Sequence, residues 1–145
     1  MPPSIESRVK KCFKDTRLFR ITEHAPAGIK LAQNEQVMGV YFNRSFDDYS
    51  DGFVVSSRGL YLLSPDGSRF LAYSEIVTSN LHKNKADQGR DLKYRYVELI
   101  LKSGEHVKVF MHGEYENGCL DLYNLDRFLG YVYRDCNSKH EQHAV

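Results

Sequence analysis

Gly52-Phe-Val-Val-Ser-Ser-Arg-Gly-Leu-Tyr-Leu-Leu-Ser-Pro-Asp-Gly-Ser-Arg-Phe-Leu-Ala-Tyr-Ser-Glu-Ile76 is the stretch that decides the fold. Three short runs rich in β-branched and aromatic residues are separated by two turn signals. Ser57-Arg58-Gly59 closes the first hairpin and Ser64-Pro65-Asp66-Gly67-Ser68 the second. In the second turn Pro presets the backbone angle, Asp bonds its own backbone and Gly takes the left-handed position. The stretch is therefore a meander of three antiparallel strands.

Working outward, Glu35 to Asn43 reads as a strand that is apolar on both faces. Strict alternation would place Met38, Val40 and Phe42 on one face and Val37 and Tyr41 on the other. A polar loop, Arg44-Ser-Phe-Asp-Asp-Tyr-Ser-Asp51, joins it to the meander. Beyond the meander, Ile76 to His82 is a further strand, residues 83–91 form a polar loop, and Tyr94 to Leu101 is a strand with Val97, Leu99 and Leu101 on one face. Ser103-Gly104 turns the chain into His106 to His112, where Val107, Val109 and Met111 alternate with polar positions.

Two helices flank these strands. Ser4 to Arg20 carries Ile5, Val9 and Phe13 at intervals of four, with Cys12 beside them. Lys10, Lys11, Lys14, Arg17 and Arg20 give that segment a basic side, which reads as a solvated face or as a surface for an acidic partner or membrane. The last helix starts after Asn117-Gly118 and runs to about Arg134, with Leu122, Leu125, Phe128, Leu129 and Val132 forming a stripe broad enough to bury. The expected organisation is a helical extension (1–30), a strand-rich domain (31–135) and a flexible tail (136–145).

Strands followed by one C-terminal amphipathic helix resemble the pleckstrin-homology superfold. The run Val54-Val-Ser-Ser-Arg-Gly-Leu-Tyr-Leu62, then Phe70-Leu-Ala-Tyr-Ser-Glu-Ile76, is similar to that of small bacterial PH-like domains. Leu99-Ile-Leu-Lys-Ser-Gly104 and Arg127-Phe-Leu129 fit the same resemblance, which covers about Leu31 to Tyr133. It implies a split barrel of about seven antiparallel strands capped by the last helix, in the α+β, mainly β class. It also implies binding rather than catalysis, with a lipid headgroup, peptide or protein as ligand. The lipid-binding form grips phosphates with cations on its first two strands and their loop. Here that loop carries Asp47, Asp48 and Asp51 against Arg44 alone, which argues against a phosphate ligand.

Bulk composition narrows the partner classes. The chain of 145 residues carries 20 Lys and Arg against 19 Asp and Glu, a net charge of +1. A phosphate-backbone binder carries a basic excess. Cys12, Cys119 and Cys136 are odd in number and widely spaced, as expected of reduced thiols in a cytoplasmic protein. No run approaches the roughly 20 apolar residues of a membrane span.

No catalytic motif stands out, so a non-enzymatic module without cofactor is expected. Asp47-Asp-Tyr-Ser-Asp-Gly52 brushes against a calcium-loop pattern but puts Tyr49 at the third position and Arg58 at the twelfth. His106 and His112 are about 20 Å apart along one strand, too far for one metal. Tyr94, Tyr96 and Phe110 beside Arg95 and Lys108 would suit a nucleic-acid stacking platform, but edge-strand and sheet-packing roles explain them more simply, and the balanced charge argues against nucleic acid. The residues expected to bind are Asp47, Asp48, Tyr49 and Asp51 with Tyr94 and Tyr96, and a protein or peptide is the expected partner. An immunity protein that neutralises a bacterial toxin is a specific form of that expectation.

Overall fold

The computed structural model describes residues 5–81, 95–112 and 118–143, except for the side chains of 118–120 and 138–143. In chain order the elements are α1 (Ile5–Phe13), β1 (Phe19–Ile21), β2 (Val37–Phe42), β3 (Gly52–Ser56), β4 (Gly59–Ser64) and β5 (Gly67–Ala72). A single 3-10 turn (Tyr73–Glu75) leads to β6 (Ile76–Leu81), β7 (Tyr96–Leu101), β8 (His106–Phe110) and α2 (Gly118–His143). The protein is α+β and mainly β, with one antiparallel sheet of five strands, β1 to β5 in order, and one of three, β6 to β8. Tyr94 and the expected loop 83–91 lie outside the described residues.

The meander folds as its turn residues dictate. Ser64 pairs with Gly67, so Pro65 and Asp66 form the turn, and Gly67 takes φ 136°. Gly59 serves differently: a Cβ there would fall onto the Leu71 carbonyl oxygen, so its absence lets β4 and β5 approach.

Two apolar layers hold the fold. The larger layer joins Tyr41, Phe53, Val55 and Leu60 of the five-stranded sheet with Val97, Leu99 and Val109 of the three-stranded sheet and with both helices. The α2 stripe Leu122, Leu125, Phe128, Leu129 and Val132 is fully buried in it. Each such Leu or Phe contributes about 1.5–3 kcal/mol. Helix α1 adds Val9, Cys12 and Phe13, while Arg8 lies 4.1 Å over the Tyr131 ring and 3.6 Å from Asp135. The smaller layer, Val37, Val40, Phe42, Val54 and Tyr61, covers the opposite face of the five-stranded sheet.

Several expectations are corrected. The first helix stops at Phe13 instead of Arg20, because the Thr16 and Phe19 amides turn back to the carbonyls of Phe13 and Thr16 (3.0 and 3.2 Å). Phe19 then stacks on Phe13 with centroids 4.4 Å apart, and Phe19–Ile21 gains a ladder with β2 that a helix would forgo. Residues 1–30 thus supply an edge strand and four core residues, Val9, Cys12, Phe13 and Phe19. Val37 shares a layer with Val40 and Phe42, and Met38 packs into the other, because a bulge between Val37 and Gly39 shifts the alternation by one. Helix α2 continues past Arg134 to His143.

The described sheets form no closed barrel; contacts other than a continuous ladder join them. At one seam the Asn43 side chain acts as a peptide group. Its Nδ2 donates to the Phe110 carbonyl (3.1 Å) and its Oδ1 accepts the His112 amide (2.8 Å). At the other seam the Lys102 amide donates to the Glu75 carbonyl (2.8 Å), and Arg69 grips Glu105 with two bonds of 2.8 and 2.6 Å.

Candidate functional site

The loop 44–51 is ordered by the carboxylates that make it acidic, one bonding within the loop and two reaching outside it. The Asp48 carboxylate accepts both the Ser50 hydroxyl (2.6 Å) and the Ser50 amide (3.1 Å), an Asx turn. These hydrogen bonds hold the Asp48 carboxyl below its usual range. Asp47 sits in the left-handed region at φ 70°, which aspartate tolerates better than most residues, and accepts Arg20 Nη1 at 2.8 Å. Asp51 accepts Asn43 Nδ2 at 2.9 Å and stands 3.7 Å from Arg44 Nε. The chain then leaves through Gly52, at φ 152°, where a Cβ would fall onto the Tyr41 carbonyl oxygen.

This framework holds two aromatic rings outward. Phe46 and Tyr49 remain 44% and 43% exposed. Both stand edge-on against the buried Phe42 ring, with centroids at 5.7 and 5.2 Å. Arg20 lies across the same group, 5.0 Å over Phe46 and 5.7 Å over Phe42, while its tip holds Asp47. The surface is an aromatic and guanidinium patch whose parts fix one another.

A chain of contacts leads from this loop to Tyr96. Asp51 bonds Asn43, Asn43 bonds the backbone of Phe110 and His112, and the Phe110 ring meets His112 at 5.9 Å and Tyr96 at 5.6 Å. Lys108 Nζ covers the other ring of this pair, 4.7 Å from the Tyr96 centroid. Burial pushes the His112 imidazole below its usual range, against the pull of Asp51 and with the help of Arg95 and Arg44. Arg95 belongs to the interior rather than to an outward platform: it is buried and donates Nη1 to the His112 carbonyl at 2.6 Å.

The structure links Asp47 with Tyr49 through Arg20, Phe46 and Phe42, links Asp51 with Tyr96 through Asn43 and Phe110, and bonds Asp48 to Ser50, while Tyr94 lies outside the described residues. Comparison with protein-family models, curated proteins and solved structures gives no match to this chain. Sequence reasoning misses Arg20, Phe46, Asn43 and His112. Arg20 ends a basic run that reads as a helix face, and the three-residue Phe19-Arg20-Ile21 run is too short to carry a strand signal against that reading. Asn43 has no local signal, because its bonding partners lie 67 and 69 residues downstream.

The basic N-terminal face is also partly occupied. Lys10 holds Glu6 at 3.0 Å, Arg8 holds Tyr131 and Asp135, and Arg20 holds Asp47. Among the described residues, no helix is long and apolar enough to cross a membrane.

Proposed function

We propose that this chain is a non-catalytic binding module that recognises a protein or peptide through the patch of Arg20, Phe46 and Tyr49. The observation that carries the reading is the half-exposure of Phe46 and Tyr49 over Phe42, braced by Arg20. Aromatic rings and arginine offer large contact area at low entropic cost when already held in place, and they dominate the energetic centres of interfaces. The aspartates order the loop in this reading. Their charges are already matched by Arg20 and Arg44 or absorbed by Ser50 and Asn43, so long-range steering of a basic partner is secondary. A PH-like split barrel is the fold we infer for the module. The order of elements, the Asn43 seam, the Arg69–Glu105 seam and the buried α2 stripe support it.

The test compares the wild-type chain with a Phe46→Ala, Tyr49→Ala double variant of matched circular dichroism and melting. Both are immobilised in lysate of the source cells at physiological salt, and retained proteins are identified by mass spectrometry. The reading expects one near-stoichiometric protein on the wild type, with affinity about 30-fold weaker for the variant, the loss of one energetic centre of about 2 kcal/mol. Identical retained proteins on both, or none on either, would overturn it.

A further inference from the structure

We propose that the groove beyond the end of β1 binds an extended peptide segment carrying an Arg or Lys between aliphatic residues. The groove is separate from the Phe46–Tyr49 patch, and the inference does not depend on that patch. It is lined by Glu6, Ile21, Glu23, Leu31, Glu35 and the Gln36–Met38 stretch, and encloses about 280 Å³. That is below the usual range for a drug-sized ligand and suits one long side chain with its adjoining backbone.

The first observation is a sheet edge without a strand partner, half-buried at Met38 and buried at Val37. Strand β1 pairs with Gly39, Val40 and Tyr41 and then stops. Val37 and Met38 belong to β2 but extend past the edge strand, so their outer side has no strand partner among the described residues. A peptide laid there would continue the line of β1. Its aliphatic side chains would meet Ile21 and Leu31, which are 54% and 36% exposed.

The second observation is a buried carboxylate without a cation. Glu35 is only 7% exposed. Its Oε1 accepts the Ala32 amide and its Oε2 the Ser56 hydroxyl (2.8 and 2.6 Å), and the Tyr61 hydroxyl lies 2.8 Å from both oxygens. Burial pushes the carboxyl up, but the bonds from Ser56, Ala32 and Tyr61, with Arg58 acting from farther away, outweigh it and keep the group ionised. The Tyr61 hydroxyl is correspondingly pushed up to about 12, first by burial and then by Glu35. No Lys, Arg or His stands within ion-pair distance of Glu35 among the described residues, although buried charges are ordinarily paired. Glu23 on the same wall has no ion pair among the described residues either, and Glu6 holds only the exposed Lys10. No lining residue is basic. A cation on an extended chain satisfies both observations. A small amine would meet the carboxylates but leave the strand edge uncovered.

The experiment is an amide-resolved NMR titration of the full chain with three blocked tripeptides: acetyl-Leu-Arg-Leu-amide, its citrulline analogue and its Glu analogue. The Arg peptide should shift the amides of Ile21, Leu31 and the Gln36–Met38 stretch in a saturating manner. The citrulline analogue should bind about three- to fivefold more weakly and the Glu analogue should leave those amides unmoved. Glu23→Lys, a change at an exposed side chain, should weaken the Arg peptide by a similar factor. Equal responses to the Arg and citrulline peptides, no shifts up to the solubility of the Arg peptide, or no effect of E23K would overturn the proposal. Butylammonium matching the Arg peptide would overturn its peptide part. The resonances of Phe46 and Tyr49 report separately on the other patch, so either reading can fail alone.

Discussion

Replacing Asn43 with alanine tests whether one side chain joins the two sheets. The variant loses Nδ2 bonds to Asp51 and the Phe110 carbonyl and the Oδ1 bond from the His112 amide, at 2.9, 3.1 and 2.8 Å. Asn43 is buried, so the Phe110 carbonyl and His112 amide lose partners where water reaches poorly. An orphaned buried group costs about 1–3 kcal/mol. Half-burial of His112 favours the lower figure for each, and the bond to the Asp51 carboxylate adds about 1 kcal/mol more. The expected loss is about 3 kcal/mol, seen as a melting temperature lower by about 10 °C. Amide exchange should show the His112 N–H losing protection while β3 and β4 amides change only with global stability. Asn43→Asp sharpens the test. It keeps an acceptor for His112 but donates nothing to Phe110 and sets a second carboxylate against Asp51. Its deficit should therefore shrink as pH falls into the carboxylate range, whereas that of N43A should not. A loss under about 0.5 kcal/mol in N43A with an unchanged His112 amide would refute the seam.

Two further outcomes follow from backbone and burial. Asp121 lies buried in the first turn of α2, where burial, only partly offset by Arg95, pushes its carboxyl up to about 6. The folded chain then keeps a proton that the unfolded chain releases near pH 4, so the group's contribution is greatest below about 4 and is lost as pH rises to about 6. The ceiling is about 3 kcal/mol, and solvent screening brings the expected effect to about 1–2 kcal/mol. Unfolding curves of wild type and Asp121→Asn should thus diverge in favour of the variant between about pH 4 and 6, and a constant difference would be the contrary result. Gly52→Ala sets a methyl onto the Tyr41 carbonyl oxygen at φ 152° and should cost about 3 kcal/mol or more by urea denaturation. A change under about 1 kcal/mol would contradict the close approach.

Periodicity and turn chemistry make most of the fold legible. The α2 stripe, the Val97–Leu99–Leu101 face and the Val107–Val109–Met111 face are buried as their spacing requires. Pro65-Asp66-Gly67 forms the turn its residues demand. These signals succeed because the side chains and the backbone preference they express lie within a few residues of each other. Strand β1 is illegible for the opposite reason. It is three residues long, and its strand state comes from β2, whose pairing residues lie about twenty positions away. The bulge before Gly39 has the same origin. It moves Val37 to the layer of Val40 and Phe42, where Phe19 packs against Gly39 on the other side, and no period-two rule contains it.

The site shows how composition misleads when the geometry is missing. Three aspartates in five residues, Asp47 to Asp51, read as a field of negative charge. In the fold each aspartate is already engaged. Asp47 anchors Arg20, Asp48 closes an Asx turn on Ser50, and Asp51 receives Asn43. A carboxylate that accepts short hydrogen bonds from its own loop organises backbone first and projects charge second. Glu35 is held by bonds of the same kind. A single glutamate, inconspicuous in the sequence, keeps its charge through bonds from Ser56, Tyr61 and Ala32 and has no ion-pair partner among the described residues. The electrostatic character of a surface therefore follows from which carboxylates have found cations, not from how many stand together. In the loop Asp47 and Asp51 already face Arg20 and Arg44, whereas Glu23 and Glu35 in the groove beside β2 have no ion pair among the described residues.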